Sequence, residues 1–190
     1  MKKQNQNDEL VFLPLGGSNE VGMNLNAYGF GPAHDRKWII VDVGVTFGDQ
    51  STPGVDVIVP DPTFLEGENI LGIVLTHAHE DHIGALGWLW PRIQAPLYAT
   101  PFTAFLIREK LRDAGIYEDV ELHEAPLGST VNLGPFEVTY VTITHSIAEP
   151  NGLAIKTPLG TVLHTGDWKI DNDPVVGERT DVETIKLLGD

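Results

Sequence analysis

The sequence predicts an α/β fold of the layered, sheet-rich kind, and three observations predict it. Short segments with period-two alternation dominate, as in Phe136-Glu137-Val138-Thr139-Tyr140-Val141-Thr142-Ile143-Thr144. The unbroken apolar run Ile70-Leu71-Gly72-Ile73-Val74-Leu75 reads as a buried strand. The order is strands, then two helices, then strands again, which suits packed layers better than a doubly wound sheet.

Taken in order, residues 10–15 form a first strand closed by Gly16-Gly17. Residues 24–30 and 38–43 pair as a hairpin across the turn-rich Gly31-Pro32-Ala33-His34-Asp35. The Pro- and Asp-rich passage 44–62 has little periodicity. The buried strand to Leu75 leads into a helix over 83–90 and then a short strand at Leu97-Tyr98-Ala99. Residues 102–114 give the clearest helix: Phe102, Phe105, Leu106 and Leu111 supply an apolar stripe, and Gly115 closes it. Strands follow over 118–124, 130–133, 136–144, 153–157 and 161–165, with Pro158-Leu159-Gly160 turning between the last two. Residues 1–9 read as a polar tail and 10–190 as one domain, with no internal repeat at a fixed period.

Composition narrows the function classes. At 190 residues and 42% apolar content the chain can bury a sizeable core. It has no cysteine, hence no disulfide framework and no thiolate ligands. The N-terminus is polar, and no apolar run is long enough to span a bilayer, so a cytoplasmic protein without a membrane partner is expected. The net charge of −15 argues against non-specific nucleic-acid binding, which depends on clustered Lys and Arg. The local group Arg108, Lys110 and Arg112 falls in a helical segment and reads as a solvated face. Affinity for a nucleic acid would therefore have to come from metal ions or from surface outside this sequence.

The densest chemistry is Thr76-His77-Ala78-His79-Glu80-Asp81-His82, directly after the buried strand. Alternation delivers His77 and His79 to one side, and Asp81 and His82 sit where the next helix begins. Imidazole nitrogens with carboxylate oxygens suit zinc, with manganese or iron as alternatives. His145 and Asp167 each follow a predicted strand, where a side chain is fixed in direction and open to a cleft. Asp42, after Trp38-Ile39-Ile40-Val41, is a further strand-end acid, expected to orient a ligand histidine through its other ring nitrogen.

His77-x-His79-x-Asp81-His82, then His145, then Asp167, on successive strand ends, resembles the metallo-β-lactamase superfamily. More narrowly, Leu13-Pro14-Leu15-Gly16-Gly17-Ser18-Asn19-Glu20-Val21-Gly22-Met23-Asn24 is similar to the opening of the ribonuclease J family, within the β-CASP group. So are Asp42-Val43-Gly44-Val45-Thr46-Phe47, Pro60-Asp61, Thr144-His145-Ser146-Ile147 and His164-Thr165-Gly166-Asp167-Trp168-Lys169. The resemblance implies an αββα sandwich carrying two divalent ions, zinc foremost and manganese second. It implies that His77, His79 and His145 hold one ion, that Asp81, His82 and Asp167 hold the other, and that Asp167 bridges them. It also implies hydrolysis of RNA phosphodiesters by a metal-bound hydroxide, both internally and from the 5′ end, with Asp81 accepting a proton. The full-length protein would be a homo-oligomer.

The family carries a β-CASP domain inserted in the sandwich, and this sequence stops at Leu188-Gly189-Asp190, about where that insertion would begin. The expectation is an incomplete sandwich, weak metal binding at the second position and slow RNA cleavage by the isolated chain. Two other classes are consistent with the motifs: a hydrolase of small esters on the same fold, and a non-catalytic metal-binding fragment.

Overall fold

The computed structural model describes residues 7–189, so residues 1–6 of the predicted tail lie outside the described residues. The tail is shorter than the composition suggests, because Glu9 already belongs to the first strand, β1 (Glu9–Gly16). It is followed by β2 (Leu25–Gly31), β3 (Lys37–Val41), a two-residue pair β4 (Thr46–Phe47) and β5 (Val57–Ile58), and β6 (Asn69–Val74). The helices α1 (Glu80–Ile83) and α2 (Leu86–Ile93), the strand β7 (Leu97–Ala99), and α3 (Pro101–Asp113) come next. The remainder is β8 (Leu122–Glu124), β9 (Thr130–Leu133), β10 (Phe136–Thr142), β11 (Asn151–Thr157), β12 (Gly160–His164) and α4 (Val182–Gly189).

These strands form a six-stranded sheet, in the order β1-β2-β3-β6-β7-β8, and a four-stranded sheet, β12-β11-β10-β9. The first is antiparallel through β1, β2 and β3, then parallel from β3 to β8. The second is antiparallel throughout. Alternation along β3 explains the layering. Trp38 and Ile40 face the helices with Ile83, Leu86, Leu89, Ile107 and Leu111. Ile39 and Val41 face the second sheet with Phe136, Val138, Tyr140, Leu153 and Ile155. A strand buried on both faces reads as continuous apolar sequence, as β3 and β6 do. Beyond the second sheet, Val182 and Ile185 of α4 line an apolar cleft with Val141, Ile143 and Leu163.

Several expected elements differ. The unpatterned passage contains the β4–β5 hairpin, too short to show a period. The helix predicted over 83–90 is broken at Gly84-Ala85, and its second part runs through Pro91 to Ile93, ending with Gln94 in the left-handed region (φ 53°). Trp90 stays buried there, its indole N–H donating to the Ala95 carbonyl at 2.8 Å. Only the end of the 118–124 segment is strand, because Tyr117–Asp119 makes a 3-10 turn. In α3, Phe105 is exposed rather than part of the apolar stripe; Ala104, Ile107 and Leu111 form the buried face. The basic group on α3 is a solvated face as expected: Arg108 pairs with Glu124, Lys110 with Glu80, and Arg112 with Glu109. Among the described residues no helix is long and apolar enough to cross a membrane.

Candidate metal centre

Parallel pairing of β3 with β6 brings their carboxyl ends together, where ligands gather in open α/β sheets. Asp42 follows β3 and Thr76 follows β6; the Asp42 N–H donates to the Val74 carbonyl at 3.1 Å. His77 and His79 leave the sheet before the ladder reaches them, in extended chain rather than in the strand itself. They still converge. β10 and β12, both antiparallel to β11, end on the same side and deliver His145 and Asp167.

Two overlapping groups result, His77 with His79 and His145, and His77 with His82 and Asp167, each with ligand atoms within 4.8 Å of one another. In the first, His79 Nδ1 lies 3.1 Å from His77 Nε2 and 3.2 Å from His145 Nε2. Tetrahedral zinc at its usual nitrogen distance would separate its ligand atoms by about 3.3 Å. Three ring nitrogens aimed at one point are mutually repulsive unless a proton or a cation lies between them, so this donor set fits a divalent ion.

In the second group Asp167 Oδ2 lies 3.4 Å from His82 Nε2 and 3.8 Å from His145 Nε2, placing it between the two sets. Asp81 Oδ2 lies 3.5 Å from His82 Nε2. The family resemblance implies Asp81 with His82 and Asp167; the group lying within 4.8 Å has His77 with His82 and Asp167, and Asp81 Oδ2 stands 3.5 Å from His82 Nε2.

Beneath the clustered histidines and aspartates runs a buried polar layer. His82 Nδ1 donates to Asp42 Oδ2 at 2.7 Å, and both side chains are almost wholly buried. Burial alone would raise the Asp42 pKa, but His82, by charge and hydrogen bond, holds the carboxyl below the usual range. For His82, burial pulls the pKa down, yet Asp42 foremost, with Asp167 and Asp81, drives it up to about 12. Asp167 is held down at about 2, first by its hydrogen bond with His82. Asp81 is lowered by the same partner. His77 behaves oppositely: burial, then the neighbouring His82, pushes it down to about 3, leaving its ring neutral.

The His77 displacement carries a prediction. His82, His79 and His145 add to the downward shift, while Asp42, and Asp167 on the other side of the cluster, oppose it. Because its folded pKa is depressed, the unfolded chain binds the proton more readily between pH 6.5 and about 3. Stability should therefore fall as pH drops through that window, by up to about 1.4 kcal/mol per pH unit for this one group. His145 and His164 are also lowered by burial and share the direction. The depressed carboxylates act below their model value of 3.8, so pH 6.5–4 isolates the histidines. The raised His82 contributes stability below pH 6.5 that fades only as pH climbs through about 12. Urea midpoints measured with a chelator present should decline across pH 6.5–4, and less steeply in His77→Asn; equal slopes would contradict the assignment.

Residues absent from the sequence-based site complete it. Thr76 links Asp42 to His77. Asn24 donates through Nδ2 to the Asp81 carbonyl at 3.0 Å, with its N–H on the same oxygen. Tyr28 Oη lies 2.9 Å from His164 Nδ1. Their signal was faint: a threonine adjoining the histidines, and a polar alternation along Asn24-Leu25-Asn26-Ala27-Tyr28. Two clefts open onto the cluster, about 390 Å³ beside His145 and Lys169 and about 260 Å³ beside His82 and Asp167. A larger groove of about 700 Å³, lined by Trp88 and Lys110 between the helices, contains none of the clustered histidines.

A helix layer on two facing sheets, with histidines and aspartates gathered at the strand ends, defines the class. The family model described as the metallo-beta-lactamase superfamily matches residues 26–179, and the chain belongs to that superfamily. Among curated relatives it is 48% identical to "Ribonuclease J" of Sinorhizobium meliloti, over 97% of this chain and 33% of that protein. It is 39% identical to "Ribonuclease J" of Synechocystis sp., over 100% of this chain and 30% of that protein. The chain thus spans about a third of the length of the relatives it matches. Among solved structures it is similar to a protein of unknown function from Enterococcus faecalis (TM-score 0.66, 20% identity), covering 85% of this chain and 44% of that one. The metallo-beta-lactamase fold protein YhfI from Bacillus subtilis gives TM-score 0.58 at 18% identity, over 85% of this chain and 63% of that one. These two show the fold.

Proposed function

We propose that this chain is the metal-binding part of a metal-dependent ribonuclease that hydrolyses RNA phosphodiesters, internally and from the 5′ end. The observation that carries the reading is the 48% identity, over 97% of this chain, to a protein named Ribonuclease J, in a sequence whose histidines and aspartates converge. In this reading His77, His79 and His145 would hold one divalent ion, and Asp81, His82 and Asp167 would hold a second, with Asp167 near enough to His145 to serve both sets. Zinc suits this nitrogen-rich donor set, with manganese as the alternative. Such ions would polarise the attacked phosphate and bring the pKa of a coordinated water to about 7.

The remaining work falls to the chain. Asp81, partly exposed beside His82, would accept the proton released by the attacking water. Asp42 holds His82 with Nε2 facing the cluster and Nδ1–H committed to its own carboxylate. Two clefts adjoin the cluster, room that a polymer crossing it requires, and Lys169, paired with Asp171, lines the larger of them. A net charge of −15 leaves little other electrostatic attraction for RNA, so most of the phosphate-binding surface belongs to the rest of the longer protein. That protein works in the cytoplasm as a homo-oligomer in this reading.

Elemental analysis after zinc loading should find one divalent ion held firmly per chain and a second held weakly and lost first on dialysis. Under single-turnover conditions on 5′-monophosphorylated RNA, Asp81→Asn and Asp167→Ala should each slow cleavage by about 100-fold or more. Asp81→Asn should retain at least one ion. A stoichiometry of zero in the unaltered chain, or cleavage indifferent to both substitutions, would overturn the proposal. Hydrolysis of a lactone or thioester without any RNA cleavage would move the chain to the small-ester class.

A further inference from the structure

We infer that Thr76 is a positioning residue that fixes which nitrogen of His77 carries the proton, and so turns the Nε2 lone pair of His77 towards His79 and His145. The inference rests on the metal-centre reading above and assigns a task to a residue outside the ligand set.

Thr76 is fully buried, and its Oγ1 is a shared node. It lies 2.9 Å and 3.1 Å from the two Asp42 carboxylate oxygens and 3.0 Å from His77 Nδ1. A hydroxyl has one proton to give, and an ionised carboxylate can only accept. The Thr76 proton therefore goes to Asp42, since two acceptor oxygens would otherwise face each other at 2.9 Å in a buried layer. What remains on Oγ1 is acceptor capacity, and the His77 contact is satisfied only if Nδ1–H donates to it. Nε2, on the far side of the ring, then holds the lone pair, and it is the atom 3.1 Å from His79 Nδ1. His82 is set by the same carboxylate: its Nδ1 sits 2.7 Å from Asp42 Oδ2 but 3.4 Å from Thr76 Oγ1. One aspartate thus orients both imidazoles, directly for His82 and through the Thr76 hydroxyl for His77.

The hydroxyl is separable from the backbone. The Thr76 N–H donates to Asp42 Oδ1 at 2.8 Å and its carbonyl accepts from the Asn151 N–H at 3.1 Å, contacts that a side-chain change leaves in place. Thr76→Val removes the hydroxyl at nearly constant shape, and Thr76→Ser restores it.

Long-range proton–nitrogen NMR correlations on the metal-free chain should show the His77 proton on Nδ1 in the unaltered protein and in Thr76→Ser. In Thr76→Val the single tautomer should be lost, and zinc affinity at the His77 group should weaken by about 10–100-fold. Thr76→Ser should recover both properties. A His77 proton on Nε2 in the unaltered chain overturns the inference, as does an unchanged tautomer in Thr76→Val. If Thr76→Val does not fold, the tautomer in the other two proteins decides. Failure of the unaltered chain to bind zinc would instead count against the metal-centre reading, and the tautomer would still judge Thr76.

Discussion

Replacing Asp42 by alanine is expected to destabilise the fold by about 3–5 kcal/mol, the cost of removing one partner from a buried ionic pair. Asp42 is fully buried and receives hydrogen bonds from the Thr76 N–H, the Thr76 hydroxyl and His82 Nδ1. Removing the carboxylate strands all three donors and leaves His82 without the charge that chiefly supports its proton. Backbone strain adds to this. Asp42 has φ +64°, a left-handed conformation that aspartate tolerates and alanine resists by roughly 1 kcal/mol. Asp42→Asn keeps the volume and the tolerance for that φ while removing the charge, so it separates the two contributions. Both variants should also bind zinc about 10–100-fold more weakly, because His82 loses its orienting partner. An unfolding free energy from urea titration lowered by less than about 1 kcal/mol in Asp42→Ala would show that the pair contributes little.

That same φ explains where sequence reading stopped short. The run Trp38-Ile39-Ile40-Val41 marks a buried strand, but nothing in the residue types says that the chain turns left-handed at Asp42 and leaves the ladder there, rather than continuing to Val43. The alternation of β10 and the tight spacing of histidines and aspartate from His77 to His82 were legible because each depends on local period. The clustering of His145 and Asp167 with them depends on strand order, and only the family resemblance supplied that. The β4–β5 pair and α4 were not legible: two-residue strands have no period, and α4 follows a Pro-, Gly- and Asp-rich stretch that carries no helical pattern. Phe105 misled for a simpler reason. In a helix whose buried face is lined by Thr103, Ala104, Ile107 and Leu111, the large aromatic falls a third of a turn off that face. The role inferred for Thr76 lies in hydrogen-bond direction, which spacing does not encode.

Gly44→Ala is the second large effect, and it acts by steric exclusion. The loop after β3 is laced to the turn that carries Asp81 and His82: the Val43 N–H donates to the His82 carbonyl at 2.7 Å and the Val45 N–H to the Glu80 carbonyl at 3.1 Å. Between them, a Cβ on Gly44 would lie 1.6 Å from the Asp81 carbonyl oxygen and 2.1 Å from its carbon. Both are backbone atoms, so no rotamer change relieves the clash, and one strand of the lacing must separate. Overpacking of this kind costs about 3 kcal/mol or more, and here the displaced segment is the one that presents Asp81 and His82. Gly54→Ala is the matched control. Its φ of +83° imposes backbone strain, but nothing lies within 4 Å of the added carbon. It should lose only about 1 kcal/mol and keep its full metal content. Under the two-ion proposal, Gly44→Ala should lose the ion assigned to Asp81 and His82 even where the fold survives, and keep the one assigned to His77, His79 and His145, which does not depend on residues 81 and 82. Two ions retained in Gly44→Ala, at unchanged affinity, would mean that the loop and the turn can part without moving the site.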